Sequence, residues 1–153
     1  MNMGKQVLSL PCLPPHKKDH TMSPELTYLV CVLILALIQI VLTATLRTRE
    51  TGLPYNVGPR DKPSSAAIGK ITGRMMRAQA NLFETLPIFI GALLATQVMH
   101  QHSHMTCWGA GLYFWSRVFY IPLYGFGIPH GRSIVWFISI VGILMLLKSL
   151  TGV

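Results

Sequence analysis

Apolar residues fall in long blocks along this chain, not in alternation. Leu26 to Leu46 is 21 residues without a charge. It has no polar face, so it does not suit the surface of a soluble bundle, where a helix keeps a charged side. It does suit a bilayer crossing, which needs about 20 apolar residues. Ser23-Pro24-Glu25 opens it with a capping hydroxyl, a proline where no N–H is needed and an acid in the first turn, and Arg47 closes it. A second block runs from about Arg74 to Met99. It is charge-free from Thr85 onward and strongly polar before that. A third runs from Thr106 to Tyr124 and contains Arg117, where Pro122 should kink or end the helix. The fourth, Ser133 to Leu147, lies between Arg132 and Lys148. Its rise is only ~22 Å, so both cations must snorkel to span a core of about 30 Å. The pattern predicts helices over about 24–46, 74–99, 106–124 and 133–150. They form one all-α, integral membrane four-helix domain over 23–150.

Composition supports this. Of 153 residues, 12% are charged, about half the share in soluble domains. The net charge of +8 would suggest nucleic acid in a soluble protein, but there is no alternation of basic and aromatic residues to bind it. Instead Arg47, Arg49, Arg60, Lys62, Lys70, Arg74 and Arg77 cluster around the first connection, and His100 to Met105 holds no Lys or Arg. The partner is therefore the lipid bilayer, with the first connection cytoplasmic and both termini opposite. Residues 1–22 are rich in Pro, His and Lys and are expected to be a disordered extension. Its three lysines conflict with that topology, and translation starting at Met22 would remove the conflict. Cys12, Cys31 and Cys107 are odd in number and lack metal spacing. Thr48 to Thr72, which contains Gly52, Pro54, Gly58, Pro59, Pro63 and Ser64-Ser65, reads as a turn-rich loop. The alternating His100, His102 and His104 have no evident carboxylate or thiol partner in the sequence and read as a solvated turn, not a metal site.

The polar start of the second helix carries the most chemistry. Arg74, Arg77, Asn81 and Glu84 are spaced 3, 4 and 3, an arc of about 80° at 100° per residue. A central ionised side chain costs about 2.5–3.5 kcal/mol in a membrane, so this stripe should face other helices or a watery cavity. Placement at the interface, with the cations snorkelling, is the structural alternative. On the third helix Arg117, Tyr120 and Tyr124 share one face, and Arg132 opens the fourth. This inventory has arginines, one carboxylate, an amide and phenols but no nucleophile of its own. It suits an anionic or zwitterionic ligand that brings its own reactive group.

The run Arg77-Ala78-Gln79-Ala80-Asn81-Leu82-Phe83-Glu84-Thr85-Leu86-Pro87 resembles the R-A-x-x-N-x-x-E-x-x-P signature of the MAPEG superfamily, the membrane-associated proteins of eicosanoid and glutathione metabolism. Arg117, Tyr120 and Tyr124 resemble the family's third helix, and the resemblance covers residues 23–150. Gly58-Pro59-Arg60-Asp61 and Arg132-Ser133-Ile134-Val135-Trp136 look most like its bacterial branch. The resemblance implies a homotrimer in a bacterial inner membrane, with glutathione bound between protomers near the cytoplasmic face. It implies glutathione contacts at Arg77, Gln79, Asn81, Glu84, Arg117, Tyr120 and Tyr124. The resemblance makes Arg132 the nearest candidate for the catalytic arginine that stabilises the thiolate, one residue off the family's spacing from Tyr124. After Glu84 the chain has Thr85 where some members have tyrosine. The implied activity is a glutathione-dependent transferase or peroxidase acting on lipophilic electrophiles. The alternative is a non-catalytic membrane protein that keeps the scaffold and binds a lipid or a protein partner.

Overall fold

The computed structural model describes residues 22–59, 61 and 66–151. The expectations for the extension, the Met22 start and Cys12 lie outside the described residues, as do those for Arg60 and Lys62. The described residues form helices α1 (Pro24–Thr51), α2 (Leu53–Val57), α3 (Lys70–Val98), α4 (His104–Phe126) and α5 (Pro129–Leu150), with no strand among them. By length and composition, α1, α3 and α5 can each cross a membrane. The fourth long helix, α4, is not among these. Arg117 and its glycine, serine, tyrosine and tryptophan residues lower its hydropathy.

The helices are longer than the sequence pattern suggests, and in each case local chemistry explains the difference. α1 does not stop at Arg47 but runs to Thr51, where Gly52 takes a φ of 82° and its N–H closes on the Thr48 carbonyl. Part of the expected loop is therefore helical: the last turn of α1, all of α2 and the first turn of α3. α3 starts at Lys70 because Glu50, at the end of α1, receives the Gly69 N–H at 2.8 Å and the Thr72 hydroxyl at 2.7 Å. One helix thus supplies the acid that caps the next. α5 starts at Pro129, a residue that suits the first helical position. α4 does not end at Pro122. It runs on to Phe126, with Pro122 exposed, and stops at Gly127 in the left-handed region (φ 76°).

Contacts at the helix ends give the directions. Ser23 at the start of α1 bonds Gln97 at the end of α3, and Glu50 at the end of α1 holds the start of α3, so these two are antiparallel. Glu25 accepts from the Thr106 hydroxyl at 2.8 Å, so α1 and α4 start at the same end. α4 and α5 form the tightest pair, because Gly109 and Gly142 let the backbones meet. A Cβ on Gly142 would lie 2.6 Å from the Gly109 carbonyl oxygen. The core consists of Leu29, Val32 and Ala36 of α1, Leu82, Leu86, Phe89, Ala92 and Leu93 of α3, Ala110 and Tyr113 of α4, and Ile143 and Leu146 of α5. Large apolar side chains also point outward, among them Leu37, Ile38 and Val41 on α1 and Ile134, Phe137 and Val141 on α5. An apolar exterior around an apolar core is what a lipid environment requires.

Candidate functional site

Some of the charged residues complete the scaffold and have no contact with the candidate site. Arg74, first in the expected stripe, donates from Nη1 to the Gly125 carbonyl at 3.1 Å. A cation there offsets the negative end of α4. At the other end of the bundle Glu25 is 3% exposed, with His102 Nδ1 3.9 Å from its Oε1. The histidine-rich connection therefore does have a carboxylate neighbour, 77 positions away in sequence and so invisible to a local reading. Among the described residues no group of three or more His, Cys, Asp or Glu could hold a metal. Cys31 and Cys107 are free and half-buried.

Asn81 and Thr85 of α3 meet Arg117, Tyr113 and Tyr120 of α4 inside the bundle. Arg117 is 2% exposed. Its Nη1 donates to Asn81 Oδ1 at 2.8 Å and its Nη2 to Thr85 Oγ1 at 2.6 Å. The guanidinium carbon lies 5.2 Å from the Tyr113 ring centre and 5.5 Å from that of Tyr120. Among the described residues no carboxylate lies within 4.0 Å of it. Hydrogen bonds and two aromatic faces thus do the work of a counter-ion. Asn81 Nδ2 points the other way, 3.5 Å from Glu84 Oε2. Tyr120 and Tyr124 stack obliquely at 5.3 Å, and the Arg132 guanidinium sits 5.1 Å over the Tyr124 ring. Asn81, Tyr120, Tyr124, Arg132, Ser133, Trp136 and Phe137 line one cleft of about 390 Å³.

The structure therefore brings Asn81, Tyr120, Tyr124 and Arg132 together, with Arg117 buried behind them and Glu84 exposed beside Asn81. Arg77 is also exposed and borders a separate basic cleft with Lys70 and Arg74. Gln79 does not join this group. It lines a groove between α1 and α3, with Thr43 and Arg47 of α1. The helical wheel already held this information, because Gln79 falls at about 140° when Arg74 is at 0°, across the helix from the stripe. Thr85, Tyr113, Ser133, Trp136 and Phe137 were not anticipated. Trp136 and Arg132 are four residues apart at the start of α5, a spacing that puts them on one face.

The cleft supplies guanidinium groups at Arg132 and behind it at Arg117, an amide, two phenols and a nearby carboxylate. Its charges complement those of a ligand with carboxylates and an ammonium group, and among the described residues lining it there is no thiol. The sequence model of the MAPEG family matches residues 26–151, most of the chain. No curated protein and no solved structure matches it.

Proposed function

The chain belongs to the MAPEG family, and from that premise we propose that it is a membrane-bound glutathione-dependent transferase or peroxidase acting on lipophilic electrophiles. The observation that carries this reading is the convergence of Asn81, Tyr120, Tyr124 and Arg132 on one cleft. Glutathione supplies the nucleophile, its thiolate. Arg132, held over Tyr124, is placed to favour the ionised sulfur, since a neighbouring guanidinium lowers a thiol's pKa. Arg77, one turn before Asn81 on the same side of α3 and bordering the adjoining basic cleft, offers its fork to a carboxylate that extends out of the Asn81 cleft, and Glu84 offers its charge to the ammonium. Trp136 and Phe137 supply an apolar wall for the second substrate.

In this reading α4 completes a four-span bundle, three protomers assemble, and the basic end of the bundle faces the cytoplasm of a bacterial inner membrane. Gln79 supports assembly. It opens onto the α1–α3 groove, away from its own cleft, so it reaches glutathione only if that groove faces the cleft of a neighbour. Calorimetric titration with glutathione and native mass spectrometry in detergent test the proposal together. Saturable binding to a three-copy assembly is expected. A monomer that binds normally would reject the shared site, and an assembly that binds no glutathione would leave the non-catalytic alternative.

A further inference from the structure

We infer that Thr85 and Tyr113 are positioning residues of the cleft, holding the Arg117 guanidinium so that it fixes the Asn81 amide toward a bound ligand. The inference rests on the glutathione reading for the ligand alone; the restraint on Arg117 stands on the geometry of the protein. Neither Thr85 nor Tyr113 lines the cleft. Both are buried, at 7% and 0% exposed.

The hydroxyl protons can be assigned. Thr85 Oγ1 lies 3.2 Å from the Leu82 carbonyl, 2.9 Å from the Tyr113 hydroxyl and 2.6 Å from Arg117 Nη2. A threonine hydroxyl has one proton and two lone pairs. The carbonyl only accepts and the guanidinium only donates. For all three contacts to be hydrogen bonds at once, Thr85 must give its proton to Leu82 and the Tyr113 hydroxyl must donate to Thr85. That arrangement fills both lone pairs. Tyr113 is itself held by stacking on Phe89, with ring centres 4.0 Å apart and planes within 10°. Its ring also faces Arg117. The guanidinium is thus restrained from two sides by one tyrosine and one threonine.

Arg117 passes this restraint to the cleft. It donates to Asn81 Oδ1 at 2.8 Å, which fixes which end of the amide faces inward. The amide nitrogen is left on the Glu84 side, where it can donate to a ligand. Without the Thr85 hydroxyl, Arg117 Nη2 and the Tyr113 hydroxyl both lose a buried acceptor, and the guanidinium is free to turn away from Asn81.

Thr85→Val keeps the shape and removes the hydroxyl, while Thr85→Ser keeps the hydroxyl. Thr85→Val should bind glutathione roughly tenfold more weakly, and Thr85→Ser within about twofold of the parent, as expected for loss of hydrogen bonds to a charged group. Nitrogen NMR of arginine-labelled protein without ligand provides a separate readout, with Arg117 assigned by Arg117→Lys. Its Nη groups should rotate slowly in the parent and in Thr85→Ser, and freely in Thr85→Val. Tyr113→Phe preserves the ring stack and the Thr85 acceptor and removes only the hydroxyl that orients Thr85, so it should quicken the Nη rotation by less than Thr85→Val does, and the test survives if Thr85→Val does not fold. Equal Arg117 signals in the parent and these variants would overturn the inference, as would equal affinity losses in the valine and serine forms. Failure of the parent to bind glutathione would reject the proposed function, and the arginine spectra would still decide the present point.

Discussion

Replacing Gly142 with alanine adds one methyl group where α4 and α5 are closest. The new Cβ would lie 2.6 Å from the Gly109 carbonyl oxygen and 3.0 Å from the Tyr113 backbone nitrogen. Both neighbours are backbone atoms, so no side chain can swing aside, and the helices must separate by most of an ångström. Overpacking of this kind costs about 1–3 kcal/mol. Alanine also gains up to about 1 kcal/mol of helix propensity over glycine, so a matched control is needed. Gly91, inside α3, has nothing within 4 Å of its Cβ position. Gly91→Ala should therefore receive the propensity gain without the clash. In reversible unfolding with sodium dodecyl sulfate, followed by circular dichroism, Gly142→Ala should fall about 1–3 kcal/mol below Gly91→Ala. Equal stability of the two variants would refute the close approach as the basis of α4–α5 pairing.

Topology and ligand charge are tested separately. In a cysteine-free background, Val57→Cys should label only from the cytoplasmic side and Gln101→Cys only from the opposite side; both positions are exposed, at opposite ends of the bundle. The reverse pattern would place the cleft at the wrong face. Glu84→Gln keeps the size of the side chain and removes its charge. Because Glu84 is exposed, the expected loss in glutathione binding is near the low end for a charged hydrogen bond, about 1.5 kcal/mol or roughly tenfold in affinity. Unchanged binding, measured by calorimetry, would remove Glu84 from the site.

α1 and α5 were legible because the sequence places charges only near their ends, and the uncharged run from Leu26 to Leu46 has no other stable home. Their boundaries were less legible for the same reason. Arg47, Arg49 and Glu50 read as the start of a loop, yet they form the last turn of α1, where long side chains can reach polar surroundings. Helical spacing placed Asn81 and Glu84 side by side, and Tyr120 with Tyr124, as the structure does. It grouped Arg74 with them because a wheel shows direction and not destination. Arg74 reaches Gly125, 51 residues away. Thr85 looked like a departure from the family pattern, and its bonds to Arg117 and Tyr113 span 32 and 28 residues. No local pattern could connect them.

Thiolate absorbance tests the central claim most directly. Purified protein titrated with glutathione at neutral pH should develop a saturable ultraviolet thiolate band, because the cleft places Arg132 beside Tyr124 with no carboxylate within 4.0 Å among the described residues. Arg132→Ala should retain most of the affinity and lose the band. Binding without a band in the parent protein, or an undiminished band in Arg132→Ala, would contradict the assignment of thiolate stabilisation to this cleft.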